Sequence, residues 1–364
     1  DVYKSVHTAM LLSVVVGAFF TVVGFALTPW SLRAMDTTPE ALPDAILYLR
    51  IYFLGMIPNV IYNMGTGVLR AVGDSKRPLY FLIAASLCNI VLDLLLVVVF
   101  HMGVLGVAIA TVCSQILSAV LVVISLMAAS GETYHLSLRQ LAFHAQPLKA
   151  IMAIGVPTAL QSVMYSFSNI VIQAAINSFG TNASAGIGVA MRLDRFVLLP
   201  CKAFGMTITT FVGQNVGARQ YRRSRAGILR ALALALSVTA FIGALVFLFA
   251  GPCVALFNSD PDVVAIGVAM MHTIIPFYLV LDVREILAGV LRGYGYTQVP
   301  MVISVIGMIV VRQLFLSLTM PQFRAIELLY YCYPVGWIST VVLLVGYYFY
   351  KRKGCVGLTG SDDE

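Results

Sequence analysis

The stretch Gly67-Val-Leu-Arg-Ala-Val-Gly-Asp-Ser-Lys-Arg-Pro78 occurs again, 222 positions later, as Gly289-Val-Leu-Arg-Gly-Tyr-Gly-Tyr-Thr-Gln-Val-Pro300. The two stretches share Gly, Val, Leu, Arg, Gly and Pro at identical offsets, and each follows a long apolar segment. A helix–loop–helix unit that repeats at domain-sized spacing in an apolar chain predicts two copies of one membrane lobe. Many secondary transporters are built from such repeats, with the substrate site between the copies. The repeat therefore favours a transporter.

The composition supports a membrane location. Of the 364 residues, 60% are apolar and only 11% are charged, whereas a soluble domain carries roughly 25% charged residues. The formal net charge of +7 could suggest a nucleic-acid partner. The basic residues lie in short loops, however, where membrane topology explains them better, so the lipid bilayer is the expected partner and nucleic acid is not.

Ten segments are long and apolar enough to cross a bilayer, since a transmembrane helix needs about 20 such residues. Lipid offers no hydrogen-bond partner to an open backbone, so each segment is expected to be helical. The predicted fold is an all-α integral membrane protein with two pseudo-symmetric helical lobes. The predicted spans are 8–28, 46–69, 79–100, 104–128, 151–178, 185–212, 228–250, 264–291, 300–320 and 328–350.

Loops on alternate sides of the predicted spans differ in charge. One side carries most of the basic residues, among them Arg219, Arg222, Arg223 and Arg225. The other side carries Arg33 and Arg324 with five acidic residues: Asp36, Glu40, Asp44, Asp260 and Asp262. The positive-inside rule places the first side in the cytoplasm. Both ends of the chain are then expected in the cytoplasm, with the protein in the plasma membrane, which in a bacterium is the inner membrane.

The longest cytoplasmic connection predicts how the chain divides. Residues 129–150 are interpreted as a linker between an N-terminal lobe, 1–128, and a C-terminal lobe, 151–353, with a polar cytoplasmic tail at 354–364. Four predicted helices precede the linker and six follow it. If the lobes are equal, two further helices are expected ahead of residue 1. The repeat agrees, because it covers helices 2–3 of the first part and helices 4–5 of the second.

Catalytic and metal-binding motifs are missing from the sequence. It contains no Walker A motif, HExxH, GxSxG or glycine-rich nucleotide loop. The six cysteines form no CxxC pair and are interpreted as buried free thiols. We therefore expect no enzymatic activity and no cofactor, and a transport cycle driven by an ion gradient.

Four polar residues in the first part of the chain suggest a cation site. Asn89 and Asp93 are four residues apart and share one helix face in an otherwise apolar run. Asn63 lies on the preceding helix, after Pro58, which is expected to kink that helix. Thr111 lies at similar depth on the following helix. Their oxygens could converge on H⁺ or Na⁺; alternatively, Asn63 and Thr111 simply bond across helices.

Charged residues within the spans of the second lobe are candidates for a substrate cavity, because a charge at mid-bilayer costs roughly 2.5–3.5 kcal/mol on insertion scales. Asp282 and Glu285 are expected to share a face, with Arg284 pointing elsewhere. Asp194 lies between Arg192 and Arg195, so pairing with an arginine competes with a substrate role. Structural ion pairs are the alternative throughout.

A polar stripe marks one face of the helix predicted at 151–178. It consists of Tyr165, Ser168, Asn169 and Gln173, and such a stripe faces protein or a water-filled cavity. Methionine and aromatic residues could add an adaptable apolar wall, although plain helix packing explains them equally well. These residues are Met164, Tyr165, Phe167, Met191, Phe196 and Met206. Pro157, Pro200 and Pro276 are expected to interrupt helices of this lobe.

Together, these segments resemble the multidrug and toxic compound extrusion (MATE) family. The strongest match is Thr210-Phe-Val-Gly-Gln-Asn-Val-Gly-Ala218, preceded by Met191-Arg-Leu-Asp194 and Pro200. The duplicated GVLR loop and Tyr48-Leu-Arg-Ile-Tyr-Phe-Leu-Gly55 add to it, and the resemblance covers essentially the whole chain. It implies twelve helices in two six-helix lobes around a V-shaped central cavity, with this chain beginning at the third helix.

The resemblance also implies a function. It indicates Na⁺- or H⁺-coupled efflux of amphipathic, often cationic compounds. The set Asn63, Asn89, Asp93 and Thr111 is similar to the N-lobe cation site of the DinF-type branch, whose partner aspartate lies on the first helix, outside this sequence. Tyr165 stands where the NorM-type branch has a glutamate. Basic residues within the predicted spans weaken the case for a cationic substrate. They are Arg192, Arg195, Lys202, Arg284 and Arg312.

Three functions follow from this reading. The first is a monomeric cation-coupled antiporter that exports small amphipathic drugs or metabolites by alternating access, with Tyr165, Asn169, Gln173, Arg192, Asp194, Asp282 and Glu285 in the cavity. The second is a flippase for lipid-linked saccharides from the same wider superfamily, which the intramembrane arginines fit. The third is a membrane receptor or scaffold, against which the duplication argues.

Overall fold

The structure is a computed structural model that describes residues 2–34 and 39–352. In these residues every regular element is a helix, which confirms the predicted all-α class. Asp36, Lys353, Cys355 and the tail predicted at 354–364 lie outside the described residues. The chain divides into two compact units, one formed by residues 1–153 and the other by the residues from 154 onwards.

The N-terminal unit is built on five helices and the start of a sixth. They are α1 (Val2–Ala34), α2 (Leu42–Leu54), α3 (Met56–Ala71), α4 (Lys76–Asp93), α5 (Gly103–Ala128) and the first part of α6 (Ala145–Asn177). A π-helical turn, Leu94–Val99, continues α4. Helix α1 packs on α2 and α3, while α5 packs on α2, α3 and α4. The buried core contains Val6, Met10, Leu69, Val122, Leu126 and Leu136.

The C-terminal unit contains the rest of α6 and eight further helices. These are α7 (Thr181–Gly217), α8 (Tyr221–Leu248), α9 (Ala250–Ala255), α10 (Pro261–Ile274), α11 (Tyr278–Gly293), α12 (Gln298–Val305), α13 (Arg312–Phe323) and α14 (Glu327–Arg352). A second π-helical turn, Ile306–Val311, joins α12 to α13. Helix α7 packs on α8, α10 and α11, and α11 also packs on α8 and α14.

The number of membrane spans agrees with the sequence prediction. Within the described residues, nine helical segments are long and apolar enough to cross a membrane, and a bent pair brings the number to ten. That pair is α2 and α3, which meet at 45° and correspond to the span predicted at 46–69. The protein is therefore a multi-pass membrane protein.

The bend between α2 and α3 lies at Gly55, three residues before Pro58. Pro58 has no N–H to donate to the carbonyl of Leu54, so the α-helical ladder cannot continue across this point. The N–H of Gly55 instead bonds to the carbonyl of Tyr52 at 3.0 Å. A Cβ atom at Gly55 would collide with the side chain of Gln115 on α5. The kink expected at Pro58 thus occurs one turn earlier, where α5 approaches.

The segment interpreted as a linker is held against the first helix. His7 on α1 accepts a hydrogen bond from the backbone N–H of Ser137 at 3.0 Å. The Thr8 hydroxyl donates to the carbonyl of Ala142 at 3.3 Å and accepts from the N–H of His144 at 3.1 Å. Because Leu136 also enters the core, the stretch 134–144 belongs to the N-terminal unit instead of forming a free tether.

The three prolines predicted to interrupt helices behave differently. Pro276 lies in a 3₁₀ turn, Ile275–Phe277, that separates α10 from α11. Pro157 and Pro200 lie inside α6 and α7, and both of these helices continue through them. The prediction of an interruption is therefore wrong for these two residues.

Glycines allow α7 and α11 to cross closely. Gly289 and Gly293 are four residues apart on α11, the small-xxx-small spacing at which helix backbones approach each other in membranes. A Cβ at Gly289 would lie 2.6 Å from the carbonyl oxygen of Gly205, and one at Gly293 would lie 2.7 Å from Cβ of Val212. In the first copy of the repeat, a Cβ at Gly67 would meet no described atom within 4 Å.

We predict that Gly289→Ala destabilises the protein by about 1–3 kcal/mol, because the added methyl group overpacks a backbone contact. The measurement is the thermal unfolding midpoint of the purified protein in detergent. Gly188→Ala on α7 is the matched control, since a Cβ there would meet nothing within 4 Å. The control should be neutral or gain up to about 1 kcal/mol from helix propensity. Equal midpoints for both variants would contradict a tight α7–α11 crossing.

Candidate functional site

A cavity of about 630 Å³ lies within the C-terminal unit. Helices α6, α7, α10, α11, α12 and α14 line it, together with the π-helical turn and the first residue of α13. Its size suits a drug-sized ligand, because ligand pockets commonly enclose about 300–1,000 Å³. The polar and charged side chains of its wall are Gln161, Ser162, Tyr165, Asn169, Gln173, Asp194, Arg195, Lys202, Arg284, Glu285, Arg292, Ser304, Arg312 and Tyr333.

Helical periodicity explains how α6 contributes to this wall. Gln161, Tyr165, Asn169 and Gln173 are spaced four residues apart and all line the cavity. Ser168, the other member of the predicted stripe, turns toward α13 and is only 1% exposed. Three members of the predicted stripe therefore face the cavity, whereas the hydroxyl of Ser168 forms hydrogen bonds within the protein.

Arg312 is the most buried basic residue of the cavity wall, with 3% exposure. Its Nη2 donates to the Ser168 hydroxyl at 2.5 Å and to Asn169 Oδ1 at 3.2 Å. Its guanidinium carbon lies 5.7 Å from the ring centroid of Tyr333. Gln313 also donates to Ser168, to the hydroxyl at 2.7 Å and to the carbonyl at 3.0 Å. Ser168 therefore anchors α13 to α6.

The two acidic residues of α11 differ in whether they line the cavity. Glu285 lines the cavity and forms an ion pair with the adjacent Arg284, which also lines it. Asp282 is fully buried beside Cys201 and Thr239 and is absent from the cavity wall. The long side chains of Arg284 and Glu285 both reach the cavity from neighbouring positions. Asp282, about 60° around the helix from Glu285, is instead enclosed by α7 and α8, and its role in substrate binding stays a prediction.

Asp194 lines the cavity without the arginine partner that the sequence suggested. No ion pair within 4 Å includes Asp194 in the part of the chain that the structure describes. Its Oδ1 is buried and has no hydrogen-bond partner. Arg195 and Lys202 line the same cavity, whereas Arg192 is exposed and stands outside it, so its role in substrate binding stays a prediction. Arg192 points away because it is two residues, or about 200° of helical rotation, from Asp194.

The apolar part of the wall comes mostly from residues that the sequence did not indicate. Tyr165 and Met191 do line the cavity, as expected. Phe167, Phe196 and Met206 are more than half exposed and lie outside this cavity, so a ligand-binding role for them stays a prediction. Instead, the wall is completed by Met308, Tyr333 and Trp337. Tyr333 and Trp337 are four residues apart on α14, and this aromatic spacing was the available signal.

The four polar residues of the N-terminal unit are placed on α3, α4 and α5. Within the described chain, no hydrogen bond joins any two of them: Asn63 donates to Asn59, and Thr111 donates to the carbonyl of Val107 in its own helix. Asp93 ends α4, immediately before the π-helical turn, and its Oδ1 is buried without a partner. A shared cation site at Asn63, Asn89, Asp93 and Thr111 stays a prediction.

The signature segment Thr210–Ala218 forms the end of α7. The Asn215 side chain donates to the carbonyl of Phe211 at 2.7 Å. The backbone N–H of Gln220 returns to the carbonyl of Asn215 at 2.8 Å, and Arg219 takes a left-handed conformation with φ of 57°. This pattern closes the C-terminus of a helix by satisfying its last carbonyls. The motif therefore positions the turn that leads into α8.

Membrane-spanning helices in two units, one with a polar cavity at its centre, define a polytopic transporter. The MatE family profile matches residues 1–95 and 157–316, which together are more than half of the chain. The chain therefore belongs to the MatE family, the multidrug and toxic compound extrusion transporters.

Two relatives come from Bacillus subtilis strain 168. The probable multidrug resistance protein YpnP is 30% identical over 322 residues, which cover 87% of this chain and 70% of that protein. The probable multidrug resistance protein YoeA is 26% identical over 356 residues, or 96% of this chain and 77% of that protein. This chain thus spans about three quarters of the length of these relatives.

Solved structures of this kind share the fold. An outward-facing multidrug resistance MATE transporter superposes with a TM-score of 0.87 at 21% identity, covering 99% of this chain and 80% of that one. A MATE structure in the bent conformation gives a TM-score of 0.86 at 20% identity, over 99% of this chain and 84% of that one.

We predict that Ser168→Ala lowers stability by about 1–3 kcal/mol, because Arg312 and Gln313 both lose a buried acceptor. The thermal unfolding midpoint in detergent measures the effect. Ser166→Ala on the same helix is the control, since Ser166 is exposed and bonds only to the carbonyl of Ser162. If the two variants unfold at the same temperature, Ser168 does not anchor α13.

Proposed function

We propose that this protein exports small amphipathic compounds by cation-coupled antiport, in an alternating-access cycle driven by H⁺ or Na⁺. Family membership makes it a transporter, and relatives named for multidrug resistance support export of foreign compounds. The cavity of the C-terminal unit supports a substrate of drug size. We further propose that the protein acts as a monomer in the plasma membrane, with both ends of the chain in the cytoplasm.

The observation that carries the coupling step is the unpartnered oxygen of Asp93. This carboxyl group lies within a predicted membrane span, and among the described residues its buried Oδ1 has no hydrogen-bond partner. A carboxylate in that position is costly unless it binds a cation or is protonated. Exchange of H⁺ or Na⁺ at Asp93 would therefore change the stability of one conformation of the transporter relative to another.

The π-helical turn that follows Asp93 supports the same assignment. Such turns are rare and are found frequently at functional sites, because they alter the regular i→i−4 ladder. Here the turn begins at Leu94, directly after the carboxylate. An irregular ladder of this kind can free a main-chain carbonyl oxygen, and such an oxygen would suit Na⁺ as a ligand.

Flipping of a lipid-linked saccharide is a second candidate. Five basic side chains line the cavity, and they would suit a lipid pyrophosphate. The small volume of the cavity favours a drug-sized substrate over a polyprenyl-linked one. Flipping of lipid precursors in proteoliposomes without ion-driven efflux would favour this second function.

We predict that Asp93→Asn abolishes ion-driven dye efflux from everted vesicles, because asparagine can neither carry a negative charge nor exchange a proton. Efflux is measured with imposed H⁺ and Na⁺ gradients over a panel of dyes. The matched control is Asp44→Asn, which changes an exposed carboxylate in the first turn of α2. The control should retain the efflux of the unaltered protein.

Two results would contradict this proposal. Unchanged efflux in Asp93→Asn would move the coupling site away from the N-terminal unit. Efflux that ignores both ion gradients in the unaltered protein would exclude antiport.

A further inference from the structure

The charged groups in the cavity of the C-terminal unit are unequal in number. Two acidic side chains line it, Asp194 and Glu285. Five basic side chains face them: Arg195, Lys202, Arg284, Arg292 and Arg312. The wall thus has a formal excess of three positive charges within predicted membrane spans, where an uncompensated charge is costly. Opposite charge on a ligand is the simplest compensation for such an excess.

Ion pairing within the protein removes little of this excess. Among the described residues of the cavity, the ion pair of Arg284 with Glu285 is the one pair within 4 Å. The remaining four basic side chains therefore have no carboxylate at ion-pair distance. Asp194 can offset part of the charge of Arg195 and Lys202, and Glu285 acts on Arg292 as well as on Arg284, which leaves Arg312 as the least compensated group.

The guanidinium of Arg312 has hydrogen-bond donors that an anion could use. It is 97% buried, and the hydrogen bonds of its Nη2 go to two neutral acceptors, Ser168 and Asn169. Its Nε is buried and has no hydrogen-bond partner in the part of the chain that the structure describes. A guanidinium presents several donors in a planar fork that matches a carboxylate or phosphate, so Arg312 has donor capacity that the protein leaves unused.

The aromatic and methionine side chains of the cavity wall favour a ligand that contains an aromatic ring. Tyr165, Tyr333 and Trp337 line the cavity, and the last two rings lie 6.4 Å apart between centroids. Met191 and Met308 add polarisable surface that adapts to flat ligands. Apolar aromatic surface beside a buried guanidinium is complementary to an aromatic compound that carries an acidic group.

We propose that the cavity of the C-terminal unit binds small aromatic organic anions, with the carboxylate or phosphate on Arg312 and the ring against Tyr333 and Trp337. This inference rests on the proposed export function and names its substrate class. Arg195, Lys202 and Arg292 add longer-range attraction for the same charge.

A binding experiment tests the inference apart from transport. The chain has two tryptophans, Trp30 and Trp337, so Trp30→Phe leaves a single emitter in the cavity wall. Three dansyl probes that differ in charge are titrated into the purified protein in a neutral detergent: dansylglycine, dansylamide and dansylcadaverine. Energy transfer from Trp337 should report binding of the anionic dansylglycine at least about tenfold tighter than that of the cationic dansylcadaverine.

Three variants locate the anion. Arg312→Gln should weaken dansylglycine at least about 30-fold and leave neutral dansylamide nearly unchanged. Arg195→Gln should weaken dansylglycine about two- to fivefold. Arg192→Gln, an exposed arginine of the same helix outside the cavity, should have no effect. If Arg312→Gln does not fold, the comparison of Arg195→Gln with Arg192→Gln still decides the question.

Three results would overturn the inference. The first is tighter binding of dansylcadaverine, and the second is dansylglycine binding that is indifferent to Arg195 and Arg312. The third is displacement of dansylglycine by phosphatidylglycerol added to the micelles, which would assign the site to a lipid headgroup. Anion binding without ion-driven efflux would refute the export function alone, and efflux of dyes without anion binding would refute this inference alone.

Discussion

The guanidinium of Arg312, buried among neutral partners, is the constraint on which the C-terminal unit depends. Its charge stands in a predicted span, where desolvation is costly, and α6 reduces the cost with the hydroxyl of Ser168 and the amide of Asn169. Gln313 uses the same hydroxyl. These few bonds join α13 to α6 across the cavity wall, so the site and the packing of the unit depend on the same atoms.

The close crossing of α7 and α11 positions the other side of the cavity. Glycines at 205, 289 and 293 remove the side chains that would hold the two backbones apart. Asp194 and Lys202 are carried by α7, while Arg284 and Glu285 are carried by α11. The second GVLR copy thus has a packing role that its counterpart at Gly67 lacks in the described chain. The two copies of the GVLR motif therefore differ in how their glycines pack.

Much of this architecture could be predicted from the sequence. Apolar runs fixed the number of spans, and the four-residue spacing of Tyr165, Asn169 and Gln173 indicated their common face. Asp282, Arg192 and Phe167 lie outside the cavity of the C-terminal unit, because a spacing rule states which residues share a face and not which neighbour that face meets. Tyr333 and Trp337 were missed for the same reason: their role depends on where α14 packs.

The neutral hydrogen-bond partners of Arg312, which are Ser168 and Asn169, have a consequence for membrane insertion. A helix that enters the bilayer alone carries the full cost of its arginine, about 2.5–3.5 kcal/mol at the centre on insertion scales. Helix α6 precedes α13 in the chain, so Ser168 and Asn169 are synthesised about 140 residues before Arg312 and can receive it. Biogenesis of the C-terminal unit is therefore ordered: α6 must be in the bilayer and oriented before α13 can enter at low cost.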